Sequence, residues 1–125
     1  MIRQSGDTIY INKTSFTIPT AYVALSTSNP KEDGSGISEP IGMNYSRVAT
    51  AGADWNVAVN GEIDNANVIA FPEASGSWGL IAYYALFDAP SGGNMLVYDA
   101  LDISKNIDNE ETMQFAAGDL KVTLD

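Results

Sequence analysis

The chain has 125 residues, with sixteen Asp and Glu against six Lys and Arg and a net charge of −10. Cysteine and histidine are both absent, which excludes a disulfide framework, a thiolate nucleophile or metal site, and the usual general base. The acidic balance repels nucleic-acid phosphates and anionic membranes, and no apolar run approaches the span of a bilayer, so neither is expected as a partner. A chain of this length reads as one domain, 1–125, able to bury roughly two-thirds of its unfolded surface, with 1–11 as an N-terminal arm. Met1–Thr8 is polar and offers no leader, which points to maturation in a reducing cytoplasm.

Along the chain, Met1–Asp7 is polar, and Thr8–Ile11 is a short strand pattern ended by Asn12-Lys13-Thr14. Thr20–Thr27 leans apolar on both faces and predicts a buried strand. Ser28–Gly42 is rich in Ser, Gly, Pro and charge and predicts a long surface loop, either an interaction element or a tolerated insertion. Met43–Thr50 and Trp55–Val59 are further strand patterns, the second followed by the tight-turn pair Asn60-Gly61. Asn67–Phe71 is another, stopped by Pro72.

The longest apolar run, Leu80–Phe87, has no polar face at period 2 and predicts a strand covered on both sides. Asp88–Asn94 then supplies a proline and two glycines for a chain reversal into Met95–Leu101, giving a central antiparallel hairpin. Asp102–Glu111 is polar and acidic and reads as a loop or one helical turn. Thr112–Phe115, the turn Ala116–Gly118 and Asp119–Asp125 close the chain; Leu120, Val122 and Leu124 alternate with polar residues as in a half-buried strand. Eight or nine short strands with regular turn signals predict an all-β fold, an antiparallel β-sandwich of jelly-roll or Ig-like type.

Without His or Cys, carboxylates are the remaining catalytic groups. Asp54, Asp64, Glu73, Asp88 and Asp99 lie near strand ends, where an acid and a base could meet across a cleft, although acids in such loops are commonplace. Asp102, Asn106, Asp108 and Glu111 are hard oxygen donors of the kind calcium takes, but their spacing departs from the calcium-loop pattern and reads better as a solvated acidic loop. Gly92-Gly93 opens no helix, so no phosphate cradle is expected, and nothing calls for a cofactor. Tyr22, Tyr45, Trp55, Trp78, Tyr83, Tyr84 and Tyr98 could form a sugar-stacking platform, yet they sit inside apolar runs and read first as core or interface. Trp78 stands apart, between Ser75-Gly76-Ser77 and Gly79, on a corner expected to be flexible and exposed.

The stretches YVALSTSNP (Tyr22–Pro30), NYSR (Asn44–Arg47), FPEASGSWG (Phe71–Gly79), ALFDAPSGGNMLVYDAL (Ala85–Leu101) and FAAGDLKVTLD (Phe115–Asp125) occur in that order. In these the chain resembles a family of small tailed-bacteriophage virion proteins, tail-fibre-like or decoration-type, from about Thr20 to the C-terminus. Members of that family carry an amphipathic helix before the first of these strands, where this chain has only its polar arm, and tend to place glycine at Ala85.

The resemblance implies a non-enzymatic structural protein on the outer surface of the virion, made in the host cytoplasm. A capsid decoration (cement) protein, homotrimeric and bound to the major capsid protein, is the first expectation. Arg3, Ile9, Tyr10 and Ile11 of the arm are then the residues that reach a neighbouring subunit by strand addition. The alternative is a tail-fibre or tail-tip module that binds a host glycan or receptor through Trp55 or Trp78.

Overall fold

The computed structural model describes residues 11–12, 15–16, 20–59 and 61–123. Ten antiparallel strands and one 3-10 turn, Gly52–Asp54, are found among them: β1 Ile11–Asn12, β2 Ser15–Phe16, β3 Ala21–Ser26, β4 Val48–Thr50, β5 Glu62–Asp64, β6 Ile69–Ala70, β7 Gly79–Phe87, β8 Met95–Ile107, β9 Gln114–Phe115 and β10 Lys121–Thr123. One sheet of four strands, in the order β4-β3-β7-β8, forms the main layer. Two short ribbons, β10-β5 and β6-β9, lie against it, and β1 pairs with β2. The antiparallel all-β layering expected from the sequence is present, with the facing layer built from separate ribbons rather than one closed sheet.

The core lies between these layers. Val23 and Leu25 of β3, with Ile81, Tyr84 and Leu86 of β7, pack on Ile63, Ile69, Phe115, Leu120 and Val122 of the ribbons. Leu25, Ile81, Leu86, Leu96, Ile107 and Leu120 are all fully buried; each side chain so placed contributes about 1.5–3 kcal/mol relative to exposure.

The outer face of the sheet is covered at one end by the long loop 28–42. There Ala24, Ala85, Phe87 and Met95 form a second small cluster under Ile37. The small side chain of Ala85, wholly buried opposite Ala24, leaves room for that packing. The loop is tied down by its serines: Ser38 N donates to the buried Ser26 Oγ at 3.0 Å, and Ser28 Oγ donates to Gly36 O at 2.6 Å. A Cβ at Gly36 would lie 2.2 Å from Asn29 O, so the loop closes on itself only with glycine there. Far from being a spacer, the loop makes β7 buried on both faces over Tyr84–Phe87.

The hairpin β7–β8 turns through Asp88–Asn94. Asp88 N donates to Asn94 O at 3.1 Å, while Asn94 N donates to Asp88 Oδ1 at 2.7 Å. The Asn60-Gly61 turn signal is matched by reciprocal Val59–Glu62 backbone bonds of 2.8 and 3.0 Å.

Three expectations need correction. Asp102–Glu111 is neither a loop nor a helical turn throughout, because β8 runs on to Ile107 and its second half pairs with Gly79–Ile81. The strand expected at Met43–Thr50 starts only at Val48, since Met43 and Asn44 have φ of 52° and 67°. Trp55–Val59 is not a continuous strand but makes isolated bridges at Trp55 and Val59, and the strand at Glu62–Asp64 was not foreseen. At the N-terminus, Ile11 pairs with Phe16 in a two-residue hairpin; Arg3, Ile9 and Tyr10, like the rest of Thr8–Tyr10, lie outside the described residues.

Candidate functional site

Both tryptophans belong to the core. Trp78 is 4% exposed, and its Nε1 donates to Met43 O at 2.8 Å. Its ring meets Tyr45 edge-on at 5.3 Å and Phe71 at 6.4 Å. The Ser75-Gly76-Ser77 corner is held rather than flexible: Ser75 N donates to Met43 O, Trp78 N to Ile107 O, and a Cβ at Gly76 would strike Met43 Sδ. Trp55 is 6% exposed and donates from Nε1 to Thr50 Oγ1 at 3.1 Å. Neither ring offers the open face that sugar stacking needs, which corrects the glycan platform expected at Trp55 and Trp78. Tyr84 is buried as well, and Tyr22, Tyr45, Tyr83 and Tyr98 are half-buried.

The strand-end carboxylates are dispersed and engaged. Asp54 accepts from Ala51 N and Asn67 Nδ2, which hold its carboxyl below the usual range. Asp64 accepts from Asn56 Nδ2 and faces Lys121 at 3.9 Å. Asp88 is held low chiefly by the Asn94 backbone N–H in the hairpin turn. Glu73 is exposed, and Asp99 lies on β8. Of the oxygen donors weighed for calcium, Asp108 accepts from Asn106 Nδ2 and Glu111 accepts from Asp108 N, whereas Asp102 sits farther back on β8. Among the described residues no three acidic side chains gather in a metal-holding group.

A partly buried ion pair that the sequence reading missed pins the loops to the sheet. Arg47 donates from Nε and Nη2 to the two oxygens of Glu39, each at 2.9 Å, and from Nη1 to Ala89 O and Gly92 O. Its guanidinium lies 3.8 Å above the Phe87 ring. Tyr45 Oη donates to Glu39 at 2.6 Å and accepts from Leu25 N at 3.1 Å. Burial pushes the Glu39 carboxyl up, but the hydrogen bonds from Arg47 and Tyr45 outweigh it and leave the group below its ordinary value. This network ties the loop 28–42 and the β7–β8 turn to the sheet, and shallow openings lie on either side of it.

A crevice with an apolar base lies elsewhere, along β8. Ile81 pairs with Lys105 while Tyr83 pairs with Ala100, so Leu101–Ser104 face the single residue Ala82. This wide bulge lifts the strand away from the ribbons and opens a crevice of about 450 Å³ between the layers. Buried Tyr84, Met113, Phe115 and Leu120 form its apolar base. Asp99, Asp102, Ser104 and Lys105 line one wall, and Gln114, Asp119 and Lys121 the other. Tyr84 Oη donates across the base to Lys121 O at 2.6 Å; burial and then the nearby Asp99 charge push its phenol well above the ordinary range. On the rim, Ile103 is 82% exposed. Among the described residues β8 has a strand partner on one side only, β7, so the crevice runs beside a free strand edge.

Among the described residues, then, the chain is all-β, its candidate carboxylates lie apart, and a crevice with an apolar base runs beside its edge strand β8. The model of the family described as Podophage GP4 fiber I protein gp80 matches residues 8–123, which is 116 of the 125 residues. The chain belongs to this family, and so to the small fibre-like virion proteins of tailed phages that its sequence resembles. No curated protein matches it by sequence. Among the described residues no helix is long and apolar enough to cross a membrane.

Proposed function

We propose that this chain is a non-enzymatic structural subunit of a fibre on the outer surface of a phage particle, and that it is held there through the crevice beside β8. The observation that carries this reading is the crevice itself, where β8, paired on one side only among the described residues, runs beside an apolar base. An extended protein segment can use both, bonding to the edge and dropping alternate side chains into the base. The family's description as a fibre protein supports the placement. The dispersal of Asp54, Asp64, Asp88 and Asp99, each on a different element or turn, supports a role without catalysis.

The partners on this reading are further copies of the chain, in a homotrimer, and a protein of the particle. A decoration role on the head, with the major capsid protein as partner, uses the same module. The net charge of −10 favours it over any position facing packaged genome. The test is to add the purified chain to particles lacking it and to image them. Density projecting from the tail or collar supports the fibre. Density repeating over the shell, with heads that survive more heat, replaces fibre by cement. Particles that take up none of the protein overturn both.

A further inference from the structure

We infer that copies of this chain meet one another through an uncharged patch formed by residues 40–46 and the β7–β8 turn, with Ile41 of one copy seated against the next. This deepens the reading of the chain as an assembling virion subunit and rests on it: the patch is the contact between copies, and the crevice beside β8 is left for the particle.

Asp, Glu, Lys and Arg make up 18% of the chain, yet residues 40–46 and 89–94 hold none of them. The fold brings these two stretches together, because Arg47 donates from Nη1 to Ala89 O and Gly92 O. The charges bordering the patch are turned inward. Arg47 and Glu39 bind each other, with side chains 6% and 23% exposed, and Asp88 directs its carboxylate back onto Asn94 N and Nδ2. Two bodies of net charge −10 repel on approach. The cost of bringing them together is lowest where neither surface carries charge, and depletion of charged residues is what marks the centre of a protein interface.

Shape points the same way. Ile41 is 93% exposed, and a shallow opening of about 350 Å³ lies beside it, between Pro40-Ile41 and Pro90–Gly92. Knob and hole therefore share one surface, which makes the patch its own counterpart. Copies set about an axis through it each give Ile41 to one neighbour and receive it from another: three close a ring, and two close a reciprocal pair. Little ordering is needed on contact, since the patch is already held. Tyr45 N donates to Gly42 O at 2.9 Å, Asn44 Nδ2 to Glu73 O at 2.9 Å, and two prolines stiffen the walls.

Sedimentation of the full chain over a range of concentrations tests the contact. The chain should form a discrete trimer or dimer, and Ile41→Glu should raise its dissociation constant about tenfold or more, as loss of one buried isoleucine per contact implies. Ile103→Asp, which changes an exposed isoleucine on the crevice rim, should leave the oligomer as it was. Because the chain has no cysteine, Ile41→Cys gives a second readout: mild oxidation should link copies in pairs. A chain that is monomeric at every concentration overturns the inference, as does an oligomer that Ile103→Asp breaks and Ile41→Glu spares, or one in which Ile41→Cys stays unlinked. Particle uptake separates the two levels. Any of these failures in a chain that still enters particles overturns this inference alone; a chain that enters no particle removes the structural reading beneath it.

Discussion

Asn65 is the polar side chain on which the ribbon layer most depends. It is fully buried. Its Nδ2 donates to Asn67 O at 2.8 Å and to Ala116 O at 2.9 Å, and its Oδ1 accepts from Leu120 N at 2.9 Å. Its own backbone is bonded to Leu120 and Gly118 as well. One side chain thus holds the start of the β6 segment, the Ala116–Gly118 turn and the entry to β10 together. Asn65→Ala removes three hydrogen bonds, each worth about 0.5–1.5 kcal/mol net; Ala116 O keeps Asp119 N, but the buried Leu120 N–H is left without its acceptor. The expected loss is about 3–5 kcal/mol, after allowing for a water entering the space. At roughly 4 °C per kcal/mol for a domain near this size, the Tm should fall by about 12–20 °C.

Asn65→Asp sharpens the test. The carboxylate keeps the acceptor for Leu120 N but turns the donor into a second acceptor facing two carbonyl oxygens. Burial and those carbonyls raise the pKa of the new group, so its contribution is most favourable when protonated and is lost as pH rises. Urea unfolding should therefore show this variant recovering stability between pH 7 and about 4.5, whereas Asn65→Ala should show no such recovery. A cost below about 1 kcal/mol for Asn65→Ala, or native stability of Asn65→Asp at pH 7, would refute the reasoning.

Four further outcomes are expected. Arg47→Met alone strands the largely buried Glu39 carboxylate and should cost about 2–4 kcal/mol; Glu39→Leu with Arg47→Met should cost less than the two single losses added, as a double-mutant cycle by urea unfolding would measure. The stabilisation carried by Glu39 is present above its ordinary pKa of 4.5 and fades as pH falls through its lowered folded value, so Glu39→Gln should flatten the acid limb of stability. In the opposite direction, burial raises Tyr45 and Tyr84 above 10.0; their stabilisation is whole below that pH and lost above it, and phenolate absorbance should show both ionising only as the fold melts. In the β7–β8 turn, Gly93→Ala places a Cβ 2.5 Å from Asp88 Oδ1 at a φ of 73° and should destabilise by about 1 kcal/mol more than Gly92→Ala, which has similar φ but open space, in thermal melts of the two variants.

The central hairpin was legible in the sequence because local and tertiary signals agree there. An apolar run too short for most helices meets a Pro-Gly-Gly turn, and burial on both faces removes the alternation. The second half of β8 was not legible. Asp102, Ser104, Lys105 and Asn106 are polar because the bulge leaves them exposed, and they are extended because Gly79–Ile81 pair with Lys105–Ile107. That is a tertiary override of a weak local preference. Trp78 misled for a related reason: small, flexible neighbours suggested exposure, but the ring is drawn in by the carbonyl of Met43, thirty-five residues away. The Arg47–Glu39 pair left little trace, since its partners are joined only when the loop 28–42 folds back. The crevice is a product of the bulge, and four residues set against one leave no periodic mark.

That bulge also bears on how β8, which among the described residues has a strand partner on one side only, avoids indiscriminate pairing. A straight, apolar edge invites any other strand. Here the edge is broken by the bulge, and its carboxylates and Lys105 put charges along the path of an incoming strand, devices that blunt indiscriminate pairing. Protection of this kind has a salt signature. Rim charges in water are screened over about 8 Å at physiological ionic strength, so association of copies should strengthen as salt rises without the isolated fold losing stability. Sedimentation of the full chain from low to high salt checks this: association independent of salt would mean that the acidic rim does not keep unpartnered copies apart.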